Sequence, residues 1–503
     1  MTHYDVAIIG AGPGGYVAAI KAAQLGLSCA LIEEGDVGGT CLNRGCIPTK
    51  TLLHTTKLID ELAHAADFGV QVEGVSIDYA ALRARTSTVR EQLRSGIESL
   101  LAGNGVEVIV GRAHLGAKNR ITLTPTATQA SLPVSHNDAK TTPDPRDNPT
   151  SSQTVFSDEK IEVTATDVII ATGSRPATPP ILGIDLPGVY TSDSLLEKFP
   201  PLESIAIIGG GVIGMEFAGI YTALGTEVIV LEAAGRILPL MDKELSQSLA
   251  MVMKKRGCSL CAGAMVERIE IDAADASKLT VHYTAKDQAH SVTVAGVLVA
   301  TGRTPNTDNL FADDATPTLE RGHIVVDKKL RTSAEHVYAI GDATNCPTQL
   351  AHAASAQGVV AASAIAGAVC DINLDLIPSC VYTNPEIACV GLDEAGAKQA
   401  GIAVQCGKFT LTGNGKTIIG GIDRSFIKVV ADETGTLIGA QLMCGHATDM
   451  VGEFTLAIAQ RLTVQQASDI VRAHPTFEEA AGEALEALLG GSIHAMPKKK
   501  RVQ

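Results

Sequence analysis

Gly38-Gly39-Thr40-Cys41-Leu42-Asn43-Arg44-Gly45-Cys46-Ile47-Pro48-Thr49-Lys50 sets two cysteines four residues apart, with glycines before and between them and a proline and a lysine behind. The run reads as a redox pair at the start of a helix. A thiolate is the reactive form of cysteine, and the partial positive charge of a helix N-terminus, aided by Arg44 or Lys50, stabilises it. The pair can then switch between dithiol and disulfide. A static disulfide or two buried thiols would fit the same spacing, although a cytosolic chain seldom keeps structural disulfides.

Upstream, the apolar run Tyr4 to Ile9 ends in Gly10-Ala11-Gly12-Pro13-Gly14-Gly15, and an alanine-rich helical stretch follows from Tyr16 to Leu25. Gly10, Gly12 and Gly15 have the spacing of a dinucleotide turn, in which glycines let the backbone approach a pyrophosphate seated on the helix N-terminus. About twenty residues on, a strand ends at Glu33, placed to bond a ribose hydroxyl. Downstream the pattern recurs: a strand from Ser204 to Ile208, the turn Gly209, Gly211 and Gly214, and a strand from Val228 to Leu231 ending at Glu232. A carboxylate there repels a 2′-phosphate and accepts from a 2′-hydroxyl, so NAD is preferred to NADP. Ala233 and Ala234 offer no arginine for the extra phosphate, and Arg236 is the nearest one. Two further strands run into small-residue turns, Thr172-Gly173-Ser174 and Thr301-Gly302-Arg303, which suggests an internal duplication.

With Cys41, Asn43, Gly45, Cys46, Pro48 and Lys50 in place, the cysteine run resembles the active-site signature of the flavin-dependent disulfide reductases, the class I pyridine nucleotide-disulfide oxidoreductases. The resemblance implies an α/β chain of two Rossmann-like nucleotide-binding domains, for FAD and NAD, plus a C-terminal α+β dimerisation domain. Its expected segments are an FAD domain over 1–180, an NAD domain over 181–305, a central part at 306–376 completing the FAD domain, and an interface domain over 377–495. The first turn would take FAD and the second NAD, with Thr40, Lys50, Thr172, Gly173 and Gly302 among the cofactor contacts. Glu216 matches a glutamate that pairs with Lys50, and Asp342, in Ile340-Gly341-Asp342, matches an aspartate on the flavin's ribityl chain. In Ala473-His474-Pro475-Thr476-Phe477-Glu478-Glu479, the family pattern makes His474 the general base and Glu479 the carboxylate that orients it. Histidine suits that role because its ordinary pKa lies near working pH. Thr476 and Glu479 would also make a capping box for the last helix without any catalysis. In the family this histidine serves the disulfide of the other subunit, so a homodimer is implied. The implied reaction is oxidation of dihydrolipoamide, carried on a protein of a 2-oxoacid dehydrogenase complex or on the glycine cleavage H protein, with reduction of NAD.

The 503 residues are long enough for three or four domains, and 45% hydrophobic content supplies their cores. A formal net charge of −15 argues against a nucleic-acid surface, and no run of about 18 apolar residues suggests a bilayer span. The chain enters a strand directly after Met1-Thr2-His3, so a cytoplasmic protein is expected. Eleven cysteines are scattered apart from Cys41/Cys46 and Cys258/Cys261, and the second pair has no partner cluster to complete a metal site, so no metal is expected. Segment 124–158, rich in Thr, Pro, Ser, Asp and Asn, reads as a surface insertion, and Lys498-Lys499-Lys500-Arg501 as a solvated basic tail at 496–503. In the last domain strands are expected over 406–411, 426–430 and 437–443, with helices over 450–461 and 477–489. A glutathione-reductase-like relative would carry arginines around the second ribose in place of Glu232 with Ala233 and Ala234, and a mercuric-reductase-like one a cysteine pair near the C-terminus, where Leu488 to Gln503 contains no cysteine. A flavin-bearing assembly subunit without turnover is the alternative of a different class.

Overall fold

The computed structural model describes residues 2–126, 161–422 and 424–496, so most of the expected insertion at 124–158 and nearly all of the basic tail lie outside the described residues. The chain divides into two compact units, Met1–Thr51 with Ala80–Ala177 and Arg303–Leu374, and Leu52–Tyr79 with Thr178–Gly302 and Asp375–Gln503.

The first unit is built on a seven-stranded sheet. Strand Thr2–Ile9 lies between Cys29–Glu33 and Ile161–Ile170, all parallel, with Glu107–Val110 beyond Cys29–Glu33. The far end of Ile161–Ile170 pairs in parallel with Val337–Ala339, and its near end with the hairpin Arg112–Gly116 and Arg120–Thr124. Successive side chains of a strand point to opposite faces. Thus Val6 and Ile8 enter one core with Leu31 and Ile169, while Ala7 and Ile9 enter another with Ile32 and Ile170. Both faces are covered, as a parallel sheet requires. Helices Pro13–Gln24 and Ala351–Ile365 cross one face. Their alanines and glycines let them approach closely, and a Cβ on Gly358 would lie 2.5 Å from the Gly14 carbonyl oxygen.

The second unit carries a parallel five-stranded sheet in the order Ser259–Ala262, Glu227–Glu232, Ser204–Ile208, Gly296–Val299, Val189–Thr191. An antiparallel three-stranded sheet, Ala264–Ile271, Leu279–Ala285 and Gln288–Val294, follows within the same stretch of chain. The unit also holds an antiparallel five-stranded sheet ordered Ser379–Val381, Glu386–Gly391, Leu437–Cys444, Phe426–Asp432, Val404–Thr410. Helices Ala447–Ala459 and Glu479–Leu489 pack Phe454, Ala480, Ala484 and Leu485 against its Ile427, Val429, Ala440 and Leu442. On the opposite face Lys428 is buried. Its Nζ donates to Asp242 Oδ2 at 2.6 Å and to Glu394 Oε2 at 3.2 Å, and the Lys428 and Asp242 side chains are 3% and 5% exposed. Burial works against the charged lysine, yet these carboxylates outweigh it and raise its pKa.

Three expectations change. The last sheet has five strands instead of three, because Ser379–Val381 and Glu386–Gly391 form a hairpin at its edge. The first of the two helices starts at Ala447, and the last starts at Glu479 instead of Phe477. Only half of the capping box forms: Thr476 N–H donates to Glu479 Oε2 at 2.9 Å, whereas the Thr476 hydroxyl donates to the Ala473 carbonyl at 2.7 Å. The hydroxyl is therefore spent on closing the turn that carries His474.

Candidate active site

Gly45 splits the cysteine run into two helices, since its backbone at φ −144°, ψ −107° ends Gly39–Arg44, and Cys46 then opens Cys46–Ala63. Cys46 thus heads a long helix, where the macrodipole favours negative charge. Cys41, in the short helix before it, is hydrogen-bonded to Cys46. That bond, burial and the Cys46 charge push the Cys41 thiol well above the ordinary cysteine range, while Lys50 pulls in the opposite direction. Asn43 braces the loop from inside: it is buried, and its Nδ2 donates to the carbonyls of Asp36, Val37 and Gly39 at 3.1–3.3 Å. Arg90 Nη1 reaches the Asn43 carbonyl at 3.4 Å, and Tyr16 lies close enough for the Cys41 charge to raise its phenol after burial has done so. The motif signals neither Arg90 nor Tyr16, since both arrive from other helices.

The two glycine turns repeat one construction. A Cβ on Gly10 would lie 2.4 Å from the Ala171 oxygen and one on Gly15 1.8 Å from the Gly10 oxygen; on Gly209 and Gly214 the distances are 2.4 Å to Ala300 and 1.9 Å to Gly209. The first and third glycines are therefore required by the protein's own backbone. The middle ones are not. A Cβ on Gly211 meets nothing within 4 Å, and one on Gly12 meets only the Gly39 Cα at 3.9 Å. Space held open at the start of a helix, where unpaired N–H groups gather, fits a pyrophosphate. Gly173 and Gly302 likewise face open space, and the buried Thr172 Oγ1 has no partner among the described residues. The chain thus fits two dinucleotides, one at each turn.

Glu33 and Glu232 close these turns identically. Glu33 accepts from the Ala11 and Gly35 N–H groups at 2.6 and 2.9 Å, and Glu232 from those of Gly210 and Ala234 at 2.5 and 2.6 Å. Each carboxylate oxygen keeps a lone pair for a ribose hydroxyl. Burial pushes the Glu33 carboxyl up against those two bonds. Arg236 Nη2 donates to the Pro239 carbonyl at 2.8 Å, and its buried Nη1 has no partner among the described residues.

Asp342 is held by two residues that the sequence reading left without a role. Ser174 Oγ donates to its Oδ2 at 2.5 Å, Arg303 Nε donates to Ser174 Oγ at 2.6 Å, and Arg303 stands 3.7 Å from the carboxylate. Ser174 and Arg303 each directly follow a Thr-Gly pair in the sequence, and both reach this aspartate. Glu216 is buried in the second unit, its Oε1 accepting from the Tyr382 N–H at 3.1 Å. Thr40 lies in the first unit on helix Gly39–Arg44 beside Cys41.

His474 projects from its loop with 77% of its side chain exposed, and its Nδ1 lies 2.8 Å from Glu479 Oε1. A carboxylate can only accept, so Nδ1 carries the proton and Nε2 faces outward as the basic atom. Burial works to raise the Glu479 carboxyl, but the Thr476 N–H and the His474 ring outweigh it and hold it below the usual range. Buried Asn414 fixes the loop from behind, its Nδ2 donating to the Thr476 carbonyl at 2.9 Å while Oδ1 accepts from Thr417. No sequence pattern links Asn414 to His474, which lies sixty residues on.

The family model described as pyridine nucleotide-disulphide oxidoreductase matches residues 4–358, and the model of that family's dimerisation domain matches residues 377–485. The chain belongs to the pyridine nucleotide-disulphide oxidoreductase family. Among curated relatives of this oxidoreductase, the dihydrolipoyl dehydrogenase of Chlamydia muridarum is 37% identical over 501 residues, covering 99% of each chain. That of Geobacillus stearothermophilus is 36% identical over 502 residues, covering 98% of each. Among solved structures, LpdA of Mycobacterium tuberculosis superposes with a TM-score of 0.83 at 26% identity, covering 97% of this chain and 100% of that one. The HOCl-induced flavoprotein disulfide reductase RclA of Escherichia coli gives 0.78 at 27% identity, covering 96% and 99%. The family's cofactors are FAD and NAD, and the chain carries its dimerisation domain. Among the described residues no helix is long and apolar enough to cross a membrane, and no cluster of His, Cys, Asp and Glu could hold a metal ion.

Proposed function

We propose that this oxidoreductase is a dihydrolipoyl dehydrogenase, oxidising a protein-borne dihydrolipoyl group to lipoyl and reducing NAD, with Cys41 and Cys46 as the redox pair. The observation that carries the assignment of roles is the placement of the pair: Cys41 lies within the short helix Gly39–Arg44, hydrogen-bonded to Cys46, and Cys46 heads the long helix Cys46–Ala63. Nε2 of His474 takes the proton of one substrate thiol, and the thiolate attacks Cys41 of the disulfide form. The Cys41–Cys46 bond breaks as a substrate–Cys41 bond forms, and Cys46 leaves as a thiolate favoured by its helix terminus. The second substrate sulfur then closes the lipoyl ring and releases Cys41 as a thiol. Bound flavin supplies the two-electron relay from this dithiol to NAD.

The residues proposed to hold FAD are Gly10, Gly12, Gly15, Glu33, Thr40, Lys50, Thr172, Gly173 and Asp342. Those proposed for NAD are Gly209, Gly211, Gly214, Glu216, Glu232 and Gly302. Glu232, at the end of its strand and followed by Ala233 and Ala234, favours NAD over NADP. The functional unit is a homodimer in which the base of one protomer serves the disulfide of its partner. The substrate carrier is a lipoyl protein of a 2-oxoacid dehydrogenase complex or the glycine cleavage H protein, in the cytoplasm. The deciding assay follows NAD reduction by dihydrolipoamide, with glutathione disulfide plus NADPH run in parallel. Turnover with dihydrolipoamide that disappears in Cys41→Ser and in Cys46→Ser supports the assignment. Turnover with glutathione disulfide alone, or bound reducible flavin with no dithiol activity, overturns it.

A further inference from the structure

His474 sits between two anchors. Two residues after it, Asn414 Nδ2 holds the Thr476 carbonyl at 2.9 Å. Two residues before it, Arg472 turns inward, its side chain only 7% exposed. Its Nη2 donates to Glu453 Oε1 on helix Ala447–Ala459 and, at 3.1 Å, to the Ala467 carbonyl on helix Val464–Ser468. The same guanidinium lies along helix Glu479–Leu489 at Gly482, where a built Cβ would be 3.2 Å from Nη1, 3.7 Å from Cδ and 3.8 Å from Cζ. Glycine inside a helix is unfavourable relative to alanine, and at 482 the missing side chain is the seat of the guanidinium. Arg472 thereby joins three helices to the loop that carries His474. The third of them opens at Glu479, whose Oε1 lies 2.8 Å from His474 Nδ1.

We propose that Arg472, seated on Gly482, is a positioning residue for the base: it sets the loop against helix Glu479–Leu489 so that the His474–Glu479 hydrogen bond forms and Nε2 of His474 keeps one direction. The inference rests on His474 being the base. Packing cannot hold the His474 ring, since 77% of its side chain is exposed. Its direction depends instead on where the loop stands relative to Glu479. Burying a guanidinium is costly, and Arg472 Nε has no partner among the described residues. An apolar side chain would fill the same space without that cost, but it would not tie the loop to an acceptor on each of two helices. Misplacing a catalytic group by about 1 Å can cost about 10²-fold in rate, so the accuracy of this seat matters to the chemistry.

The test uses the holoenzyme labelled at histidine nitrogen, with flavin reduction by dihydrolipoamide followed in stopped flow and the hydrogen-bonded Nδ1–H of His474 read by NMR. Arg472→Met lowers the limiting rate of dithiol-driven reduction about 10–100-fold, leaves NADH-driven reduction near the parent rate, and loses the Nδ1–H signal to solvent exchange. Gly482→Ala favours the helix yet pushes the guanidinium by a few tenths of an ångström, so it folds even where Arg472→Met does not. It weakens the same signal, slows dithiol-driven reduction about 2–5-fold, and adds no further loss in the Arg472→Met background. A parent-like Nδ1–H signal in either folded variant overturns the proposal, as does an equal loss of NADH-driven reduction. The signal is read without turnover and so decides the positioning by itself, whereas a parent rate in His474→Gln would overturn the assignment of the base.

Discussion

Gly211→Ala separates what the second turn does for the protein from what it does for its ligand. Gly211 sits at φ −72°, a conformation alanine adopts freely, and the added methyl meets no protein atom within 4 Å. Folding should notice little. Loss of chain entropy in the unfolded state favours alanine by about 0.4–1 kcal/mol, and alanine's poorer performance at an N-cap offsets a similar amount. The thermal midpoint should therefore stay within a few degrees of the parent. The methyl does occupy the space proposed for a pyrophosphate, whose charge-assisted hydrogen bonds to the helix N-terminus are each worth about 1.5–3 kcal/mol. Losing one of them raises the KM for NAD about 10–150-fold. Stopped-flow reduction of the bound flavin by dihydrolipoamide, which needs no NAD, stays unchanged. Gly214→Ala is the contrast: its Cβ would fall 1.9 Å from the Gly209 oxygen, so that variant loses the fold of the turn itself. An unchanged KM for NAD in a stably folded Gly211→Ala would refute the reasoning.

Glu479→Gln should cut dihydrolipoamide oxidation about 10–100-fold, the scale of a mispositioned general base, while NADH-dependent dye reduction persists. Its folded carboxyl is held below the ordinary range, so the stability it contributes is present above the unfolded carboxylate value and lost as pH falls through the folded one. The difference in thermal midpoint between parent and Glu479→Gln should accordingly close on acidification below about pH 4.5. Lys428→Met leaves Asp242 buried without its cation and should destabilise by about 3–5 kcal/mol in denaturant unfolding, most of it recovered in Lys428→Met/Asp242→Asn, because asparagine still caps the helix that Asp242 begins. Asn414→Ala removes a helix cap and the hold on the Thr476 carbonyl, costing about 1–2 kcal/mol by thermal melting, and it should lower kcat with dihydrolipoamide more than dye reduction.

Much of the candidate site's local construction was legible because its parts are local. A glycine turn between strand and helix, and an acid at the end of the next strand, are set by spacing alone, and Glu33 and Glu232 stand at those strand ends. The resemblance could not show that both acids also staple their own turns through two backbone N–H groups each. Long-range partners were invisible. Ser174 and Arg303 lie far from Asp342 in the chain, and Asn414 far from His474. The hairpin Leu279–Ala285/Gln288–Val294 escaped for a different reason. It turns on Lys286-Asp287 at φ +52° and +58° instead of the asparagine–glycine pair that advertises such a turn. The capping box misled because Thr476 had two acceptable partners, and spacing does not choose between them.

The sheet that supports the first glycine turn is not finished by its own stretch of sequence, since strand Val337–Ala339 must add itself beside Ile161–Ile170. A polypeptide emerging from the ribosome therefore lacks that strand, and the Ser174–Asp342 bond just after it, until some 340 residues have been made. The nascent nucleotide fold of the second unit, complete by Val299, is already available for closure by then. Translation order thus favours a late, all-at-once completion of the proposed flavin cradle, and premature stops before Val337 should yield fragments that cannot retain a yellow colour.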